Sequence, residues 1–183
     1  TTLANNTATD PTTVVTAIGC SAVYASASSA GRTSLYTLTG STMSAIYTAP
    51  QTLGGLAISS NGSAYYDNGT FTNPPLYQFN GTNQITTALT MPNLLVGEAA
   101  DAAGNVYYID TTYHLRRATA GGSGAATDIG ALIFDAGDTI GPNIKYGDMT
   151  FDGNGRLIWY SSLNNGAGKT YLYVIDLNKK KEK

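Results

Sequence analysis

The stretch Asp101-Ala102-Ala103-Gly104-Asn105-Val106-Tyr107-Tyr108-Ile109-Asp110 places a turn directly before a short apolar run. A Gly-Asn pair is typical of a turn, and the four residues that follow it are β-branched or aromatic. Alternate residues of a strand face the same side, so Val106 and Tyr108 are expected to share one face. The stretch therefore predicts a tight turn followed by a β-strand.

Three other segments align with this one, at residues 20–24, 62–66 and 155–159. Their last positions form an aromatic column, spaced by 42, 42 and 51 residues: Tyr24, Tyr66, Tyr108 and Trp159. The position two residues earlier is apolar in every copy. Since aromatic residues make up only 10% of the chain, four aligned rings indicate an internal repeat.

A second column follows the first at a variable distance. Its leucines come 11, 10, 7 and 13 residues after the aromatic positions, each within a short strand-like run: Leu35, Leu76, Leu115 and Leu172. A further strand is expected before each turn, as in residues 56–58 and 149–151, and a fourth after the leucine, as in 44–47 and 84–89. No segment has a sustained helical period. Four short strands in a repeat of 40 to 50 residues are typical of a propeller blade.

The fold class is therefore predicted as all-β, a β-propeller of about four four-stranded antiparallel blades. The single domain spans residues 14–177, with repeats at about 14–50, 51–93, 94–140 and 141–177. The fourth repeat has no outer strand of its own, and segment 1–13 is a candidate strand to close the ring. Three arrangements stay open: a small four-bladed ring, a fragment of a larger ring, and a half-ring that pairs with another.

Composition excludes several classes of protein. Only 12% of the residues are charged, about half the share usual in soluble domains. The formal net charge is −2, and the basic tail at 178–183 contributes four Lys and one Glu, which leaves −5 for the remainder. Nothing here resembles the basic surface of a nucleic-acid-binding protein, and no apolar run is long enough to span a membrane. The lone Cys20 excludes an intramolecular disulfide. Abundant Thr, Ser, Asn and Gly favour an exported protein, either secreted, periplasmic or on the cell surface.

The stretch 101–110, continued by His114-Leu115-Arg116-Arg117-Ala118, resembles an NHL-type propeller repeat. That repeat has an Asp, a Gly-Asn turn, an aromatic strand, a second Asp and then a strand that carries Arg. Residues 152–160 resemble the same unit, whereas Ser59 replaces the first Asp in the second repeat. The resemblance implies a propeller. Propellers of this kind include binding platforms, signalling modules, hydrolases and lyases, so the resemblance specifies fold better than function.

Blade strands alternate in direction, so the connection before a first strand and the loop after a second strand open on the same face. We call this the loop face. Candidate binding residues there are Glu98 and Asp148 on first strands, and the loop residues Asp67, Asp110, Tyr113 and His114. No catalytic or metal-ligating residues are assigned, because the equivalent positions in the first two repeats are glycine or apolar. No cofactor is assigned, although converging carboxylates could hold Ca²⁺.

The leading hypothesis is a non-enzymatic exported propeller that binds or scaffolds a protein or carbohydrate through the loop face. One alternative is a metal-assisted hydrolase or lyase resembling the sugar-lactonase propellers, in which His114 is the only histidine available as an acid or base. Another is a structural subunit that self-associates through an open blade edge.

Overall fold

The computed structural model describes residues 23–26, 34–70, 72–134, 144–163 and 170–177. Every regular element in these ranges is a β-strand, which confirms the all-β prediction. None of the described residues forms a helix that could cross a membrane. Segment 1–13, Cys20 and the basic tail at 178–183 lie outside the described residues, so the predictions made for them stay predictions.

Fifteen strands are described, and they fall into four sheets. They are β1 (Val23–Ser26), β2 (Ser34–Thr39), β3 (Thr42–Thr48), β4 (Ala57–Ser59), β5 (Ser63–Tyr66), β6 (Pro75–Phe79), β7 (Gln84–Thr90), β8 (Leu94–Ala100), β9 (Val106–Asp110), β10 (His114–Ala118), β11 (Gly124–Ala125), β12 (Thr127–Ala131), β13 (Ile144–Phe151), β14 (Leu157–Leu163) and β15 (Thr170–Ile175).

Each sheet is built mainly from the strands of one repeat. The second sheet contains β4, β5, β6 and β7 in chain order, with β11 of the third repeat paired beyond β7, and the third contains β8, β9, β10 and β12. Neighbouring strands of these repeats pair antiparallel. The first and fourth sheets have three described strands each, β1-β2-β3 and β13-β14-β15. Strand β8 packs between β4 and β13, so the first strands of successive repeats lie side by side. This is the propeller-like arrangement that the repeat predicts.

The aromatic column packs between sheets. Tyr66, Tyr108 and Trp159 are almost completely buried, whereas the side chain of Tyr24 is outside the described set. Tyr66 lies with Leu35 and Phe79 in a cluster between the first two sheets. A larger cluster joins the second, third and fourth sheets. Three of the four rings therefore occupy equivalent places in the core.

The leucine column is less uniform than the sequence suggests. Leu35, Leu76 and Leu115 are buried, but Leu172 is 70% exposed. The strand register does not explain the difference, because Leu115 lies opposite Ile109 just as Leu172 lies opposite Tyr160. Leu172 is exposed because no further described sheet covers its side of the fourth sheet.

The first repeat also departs from the others by one residue. The strand pairing places Leu35 opposite Ser26, two positions after Tyr24, whereas in the third and fourth repeats the leucine lies opposite the residue that directly follows the aromatic one. Tyr24 is thus one residue out of register with the column to which the sequence alignment assigns it.

Candidate functional site

In the second and third sheets, a hydrogen bond joins the connection before the first strand to the loop after the second strand. The backbone N–H of Gly54, before β4, donates to the carbonyl of Asp67, after β5, at 3.0 Å. In the third sheet, Thr111 N–H donates to the carbonyl of Asn93 at 2.9 Å in the same way. The connection before a first strand and the loop after a second strand therefore meet in both complete repeats.

Asp67 is a buried carboxylate held by backbone donors. Its Oδ2 accepts from Gly55 N–H at 2.7 Å, and its Oδ1 accepts from Gly69 N–H. Gly69 adopts a positive φ of 77°, which a side chain would disfavour. The turn after β5 thus wraps around the carboxylate and directs it toward the glycines that precede β4.

Glu98 lies on β8, where irregularities on both sides of Val96 interrupt the pairing with β9. Its side chain is fully buried, and neither Oε1 nor Oε2 accepts a hydrogen bond from a protein donor. A Cβ placed on Gly55 would lie 2.9 Å from Glu98 Cδ and 3.2 Å from Asp67 Oδ2. The two carboxyl groups therefore meet above a single glycine.

The surroundings of Glu98 favour its neutral form. Burial raises the pKa of the Glu98 carboxyl well above its usual range. The negative charge of Asp67, a side-chain hydrogen bond with Asp67 and the negative charge of Asp148 add to the effect, in that order. Glu98 consequently retains its proton to a higher pH than an exposed glutamate would.

Asp148, on β13, is the solvent-facing member of the cluster. Its Oδ1 accepts from Met149 N–H at 2.8 Å, and its carboxylate also accepts from the backbone N–H of Glu98. Burial of part of the group raises its pKa, against the effect of these two hydrogen bonds. The first strands of the third and fourth sheets are thus linked at this point, and we call Asp67, Glu98 and Asp148 the carboxyl cluster.

The other three predicted site residues form the turn between β9 and β10. Asp110 is buried, and its Oδ1 accepts from the N–H groups of Thr112 at 2.8 Å and His114 at 3.0 Å. Its Oδ2 pairs with Arg116 Nε at 2.7 Å. Burial alone would raise the pKa of Asp110, but hydrogen bonds from Thr112, His114 and Arg116 outweigh it and lower the pKa.

His114 and Tyr113 also make contacts with other residues of the third repeat. His114 Nδ1 lies 2.8 Å from Asp128 on the neighbouring strand β12. Tyr113 has a φ of 60°, and its ring packs edge-on against Phe134 with centroids 6.3 Å apart. The structure therefore brings the carboxyl groups of Asp67 and Glu98 together, places Asp148 on the backbone N–H of Glu98, and gives Asp110, Tyr113 and His114 turn-building contacts.

Sequence analysis missed the glycines that make the cluster possible. Gly54 and Gly55 come directly before the first strand of the second repeat, and Gly97 precedes Glu98. A side chain at Gly54 would overlap the Asp67 carboxylate, and one at Gly97 would overlap Asp148 Oδ1. The signal that could have revealed them is that glycine occurs next to acidic residues at equivalent positions of successive repeats.

The close approach at Gly97 gives a direct test of the packing. Replacing Gly97 by alanine is expected to lower the free energy of unfolding by about 1–3 kcal/mol, because the new Cβ would lie 2.7 Å from Asp148 Cα. Gly153→Ala is the matched control, since a Cβ there meets no atom within 4 Å. Urea unfolding of both variants measures the effect, and equal stability of the two would contradict the close contact.

The carboxyl cluster is not a complete metal site on its own. Among the described residues, no group of three or more His, Cys, Asp or Glu side chains is arranged to hold a metal ion. A cation at the cluster would need oxygen ligands besides side-chain carboxylates, such as backbone carbonyls and water, which Ca²⁺ commonly takes.

No protein-family model matches the sequence, and no curated protein is significantly similar to it. Solved structures with a similar fold include TolB from Acinetobacter baumannii, at 13% identity and a TM-score of 0.48. That match covers 79% of this chain and 35% of TolB. A calcium-binding protein, regucalcin, from Agrobacterium tumefaciens is 12% identical with a TM-score of 0.46, over 74% of this chain and 46% of the other.

A structural genomics protein of unknown function from Bacteroides thetaiotaomicron is also similar, at 12% identity and a TM-score of 0.49. The match covers 85% of this chain and 41% of the other. The chain thus spans less than half the length of these solved structures. At such identities and TM-scores the likeness says nothing about ligand or activity.

Proposed function

We propose that this protein is a non-enzymatic exported propeller, of the NHL type that its repeats resemble, and that it binds a cation at the carboxyl cluster of its loop face. The observation that carries the proposal is the Glu98 carboxyl group, which is fully buried beside Asp67 and whose oxygens accept no hydrogen bond from a protein donor. An unpaired buried polar group costs about 1–3 kcal/mol, so a ligand that satisfied it would bind with that advantage.

The chemistry of the cluster suits a positive ligand. Asp67 and Glu98 meet above Gly55, and the exposed Asp148 accepts a hydrogen bond from the backbone N–H of Glu98. Glu98 favours its protonated form there. A bound cation would take the place of that proton, and Ca²⁺ prefers carboxylate and carbonyl oxygens.

A binding role is supported over a catalytic one by the other polar groups of the loop face. His114 is paired with Asp128, and Asp110 is held by Arg116 and by backbone donors. Asp110 would have to break its contacts to act as an acid or base on a ligand at the cluster. The proposed exported location is supported by the low content of charged residues and by the abundance of Thr, Ser, Asn and Gly.

Thermal melting with added CaCl₂ tests the proposed function. Chelator-treated protein at pH 7 is expected to show a Tm that rises with Ca²⁺, because a ligand that binds only the folded state adds about 2.7 kcal/mol when its free concentration is 100 times Kd. Glu98→Gln and Asp67→Asn should each abolish the Ca²⁺-dependent rise, whatever their effect on the starting Tm.

Asp152→Asn is the matched control for charge. Asp152 lies in the turn between β13 and β14, where it pairs with Arg156 at 2.7 Å. The substitution therefore removes one carboxylate at a position outside the cluster. Its Ca²⁺-dependent rise in Tm should equal that of the unmodified protein. No rise with Ca²⁺ up to about 10 mM, which exceeds the range of known protein sites, would refute cation binding at the cluster.

A further inference from the structure

Asparagine is followed directly by glycine at several turns of this chain. Four such pairs lie in the described residues: Asn61-Gly62, Asn68-Gly69, Asn80-Gly81 and Asn154-Gly155. Asn-Gly pairs are typical of tight turns, because both residues tolerate the backbone conformations that turns require. They also have a chemistry of their own. The main-chain nitrogen of the glycine lies close to the side-chain amide carbon of the asparagine, and the glycine has no Cβ to block its approach.

In three of the four pairs a hydrogen bond holds the glycine N–H. The acceptors are main-chain carbonyls for Gly62 and Gly155, at 3.2 and 3.0 Å. For Gly69 the acceptor is the buried carboxylate of Asp67. A main-chain nitrogen that donates in this way must lose its hydrogen bond before it can attack a neighbouring carbon.

Gly81 differs from the other three glycines. Within the described part of the chain, no acceptor forms a hydrogen bond with its N–H. The adjacent Asn80 is exposed, so hydroxide from solvent reaches the pair. Asn80 Oδ1 accepts hydrogen bonds from the N–H groups of Thr82 at 3.1 Å and Asn83 at 2.9 Å. These donors stabilise the negative charge that develops on Oδ1 when a nucleophile attacks the side-chain carbon.

We propose that Asn80 is a site of spontaneous deamidation, in which the main-chain nitrogen of Gly81 attacks the side-chain amide carbon. Hydroxide removes the N–H proton of Gly81, the nitrogen forms a bond to Asn80 Cγ, and the bond from Cγ to Nδ2 breaks. The leaving nitrogen takes a proton from water and departs as ammonia, which regenerates hydroxide. Water then opens the cyclic imide at either carbonyl and yields an aspartate or an isoaspartyl linkage. This inference goes beyond the proposed function and does not depend on it.

The site lies in the hairpin between β6 and β7. There the N–H of Asn80 donates to the carbonyl of Asn83 at 3.3 Å, and Phe79 pairs with Gln84. The side chain of Gln84 accepts a hydrogen bond from the hydroxyl of Tyr47 in the first sheet. An isoaspartyl linkage lengthens the main chain of this hairpin by one carbon atom, so it disturbs a contact between the first two sheets.

Peptide mapping by mass spectrometry tests the proposal. The folded 183-residue chain is kept at mildly alkaline pH, and conversion of amide to carboxyl is followed at each Asn-Gly pair. We expect Asn80 to convert about 5–10 times faster than the other three described sites, the factor that corresponds to breaking one hydrogen bond. The chain unfolded in urea is the matched control, because it loses these hydrogen bonds and its Asn-Gly pairs should convert at similar rates. Asn80→Asp provides the chromatographic standard for the aspartate product.

Asp67→Ala tests whether the hydrogen bond to the glycine is the cause. The substitution frees the N–H of Gly69, so Asn68 should convert about 5–10 times faster than in the unmodified protein, whereas Asn80 should keep its rate. Circular dichroism shows whether the variant is folded. If it is unfolded, the comparison of folded with urea-unfolded unmodified protein decides the question.

Three results would overturn the proposal. The first is equal rates at the four described pairs of the folded protein, and the second is faster conversion at any of the other three sites than at Asn80. The third is an unreactive Asn80 in the folded protein under conditions in which the unfolded chain converts. An unchanged rate at Asn68 in folded Asp67→Ala would contradict the role of the hydrogen bond.

Discussion

Replacing Trp159 by alanine is expected to lower the free energy of unfolding by about 3–5 kcal/mol, the usual range for a buried tryptophan. The ring is almost fully buried between the third and fourth sheets. It stacks on Tyr173 with centroids 5.0 Å apart and lies 6.4 Å from Phe134. The indole Nε1 has no hydrogen-bond partner, so the loss comes from packing alone.

Urea unfolding followed by circular dichroism measures this loss. Trp159 is the single tryptophan of the chain, so fluorescence reports on the unmodified protein but not on the variant. Trp159→Phe should retain most of the stability, and Ile133→Ala, at an exposed position, should change it by less than about 0.5 kcal/mol. A cost below about 1 kcal/mol for Trp159→Ala would show that the aromatic column does not hold the sheets together.

Replacing Glu98 by glutamine is expected to stabilise the protein at neutral pH and to leave it unchanged near pH 4. The pKa of Glu98 is raised in the folded state, so the folded protein binds this proton more tightly than the unfolded chain does. The stability that Glu98 contributes is thus fully present below its unfolded pKa of about 4.3 and is lost as pH rises toward its folded pKa. Glutamine has no proton to lose and avoids that cost.

The size of this effect follows from the linkage between protons and stability. Within the pH window between the two pKa values, one group changes the free energy of unfolding by up to about 1.4 kcal/mol per pH unit. We expect Glu98→Gln to gain about 1–3 kcal/mol at pH 7, because the variant avoids the cost that builds up as pH rises above the unfolded pKa. Urea unfolding of the unmodified protein and of Glu98→Gln between pH 4 and pH 8 gives the difference in their free energies of unfolding at each pH. Contributions from Asp110 and other groups cancel in that difference. A difference that is destabilising at pH 7, or the same at every pH, would contradict the buried protonated state.

The aromatic column could be found from sequence because it repeats. An aromatic ring fills the space between two sheets in three repeats, as Tyr66, Tyr108 and Trp159 do. An aromatic residue therefore recurs at the same position of the repeat. The loop face could be predicted as well, because the direction of each strand in an antiparallel sheet follows from its order.

Features that depend on distant parts of the chain could not be predicted in this way. The exposure of Leu172 depends on whether another sheet covers it, and its own repeat contains no information about that. The meeting of Glu98 and Asp67 above Gly55 depends on irregular pairing within β8. Strand β11 has only two residues, Gly124 and Ala125, and so has no periodic pattern to detect.

The pairing of β11 affects how the protein unfolds. Gly124 and Ala125 leave the third repeat and pair in parallel with Leu89 and Thr90 on the outer strand of the second. The two central repeats therefore share main-chain hydrogen bonds at the rim, besides their apolar contact nearer the middle. Amide exchange should show these two repeats opening as one cooperative unit, later than the repeats that flank them.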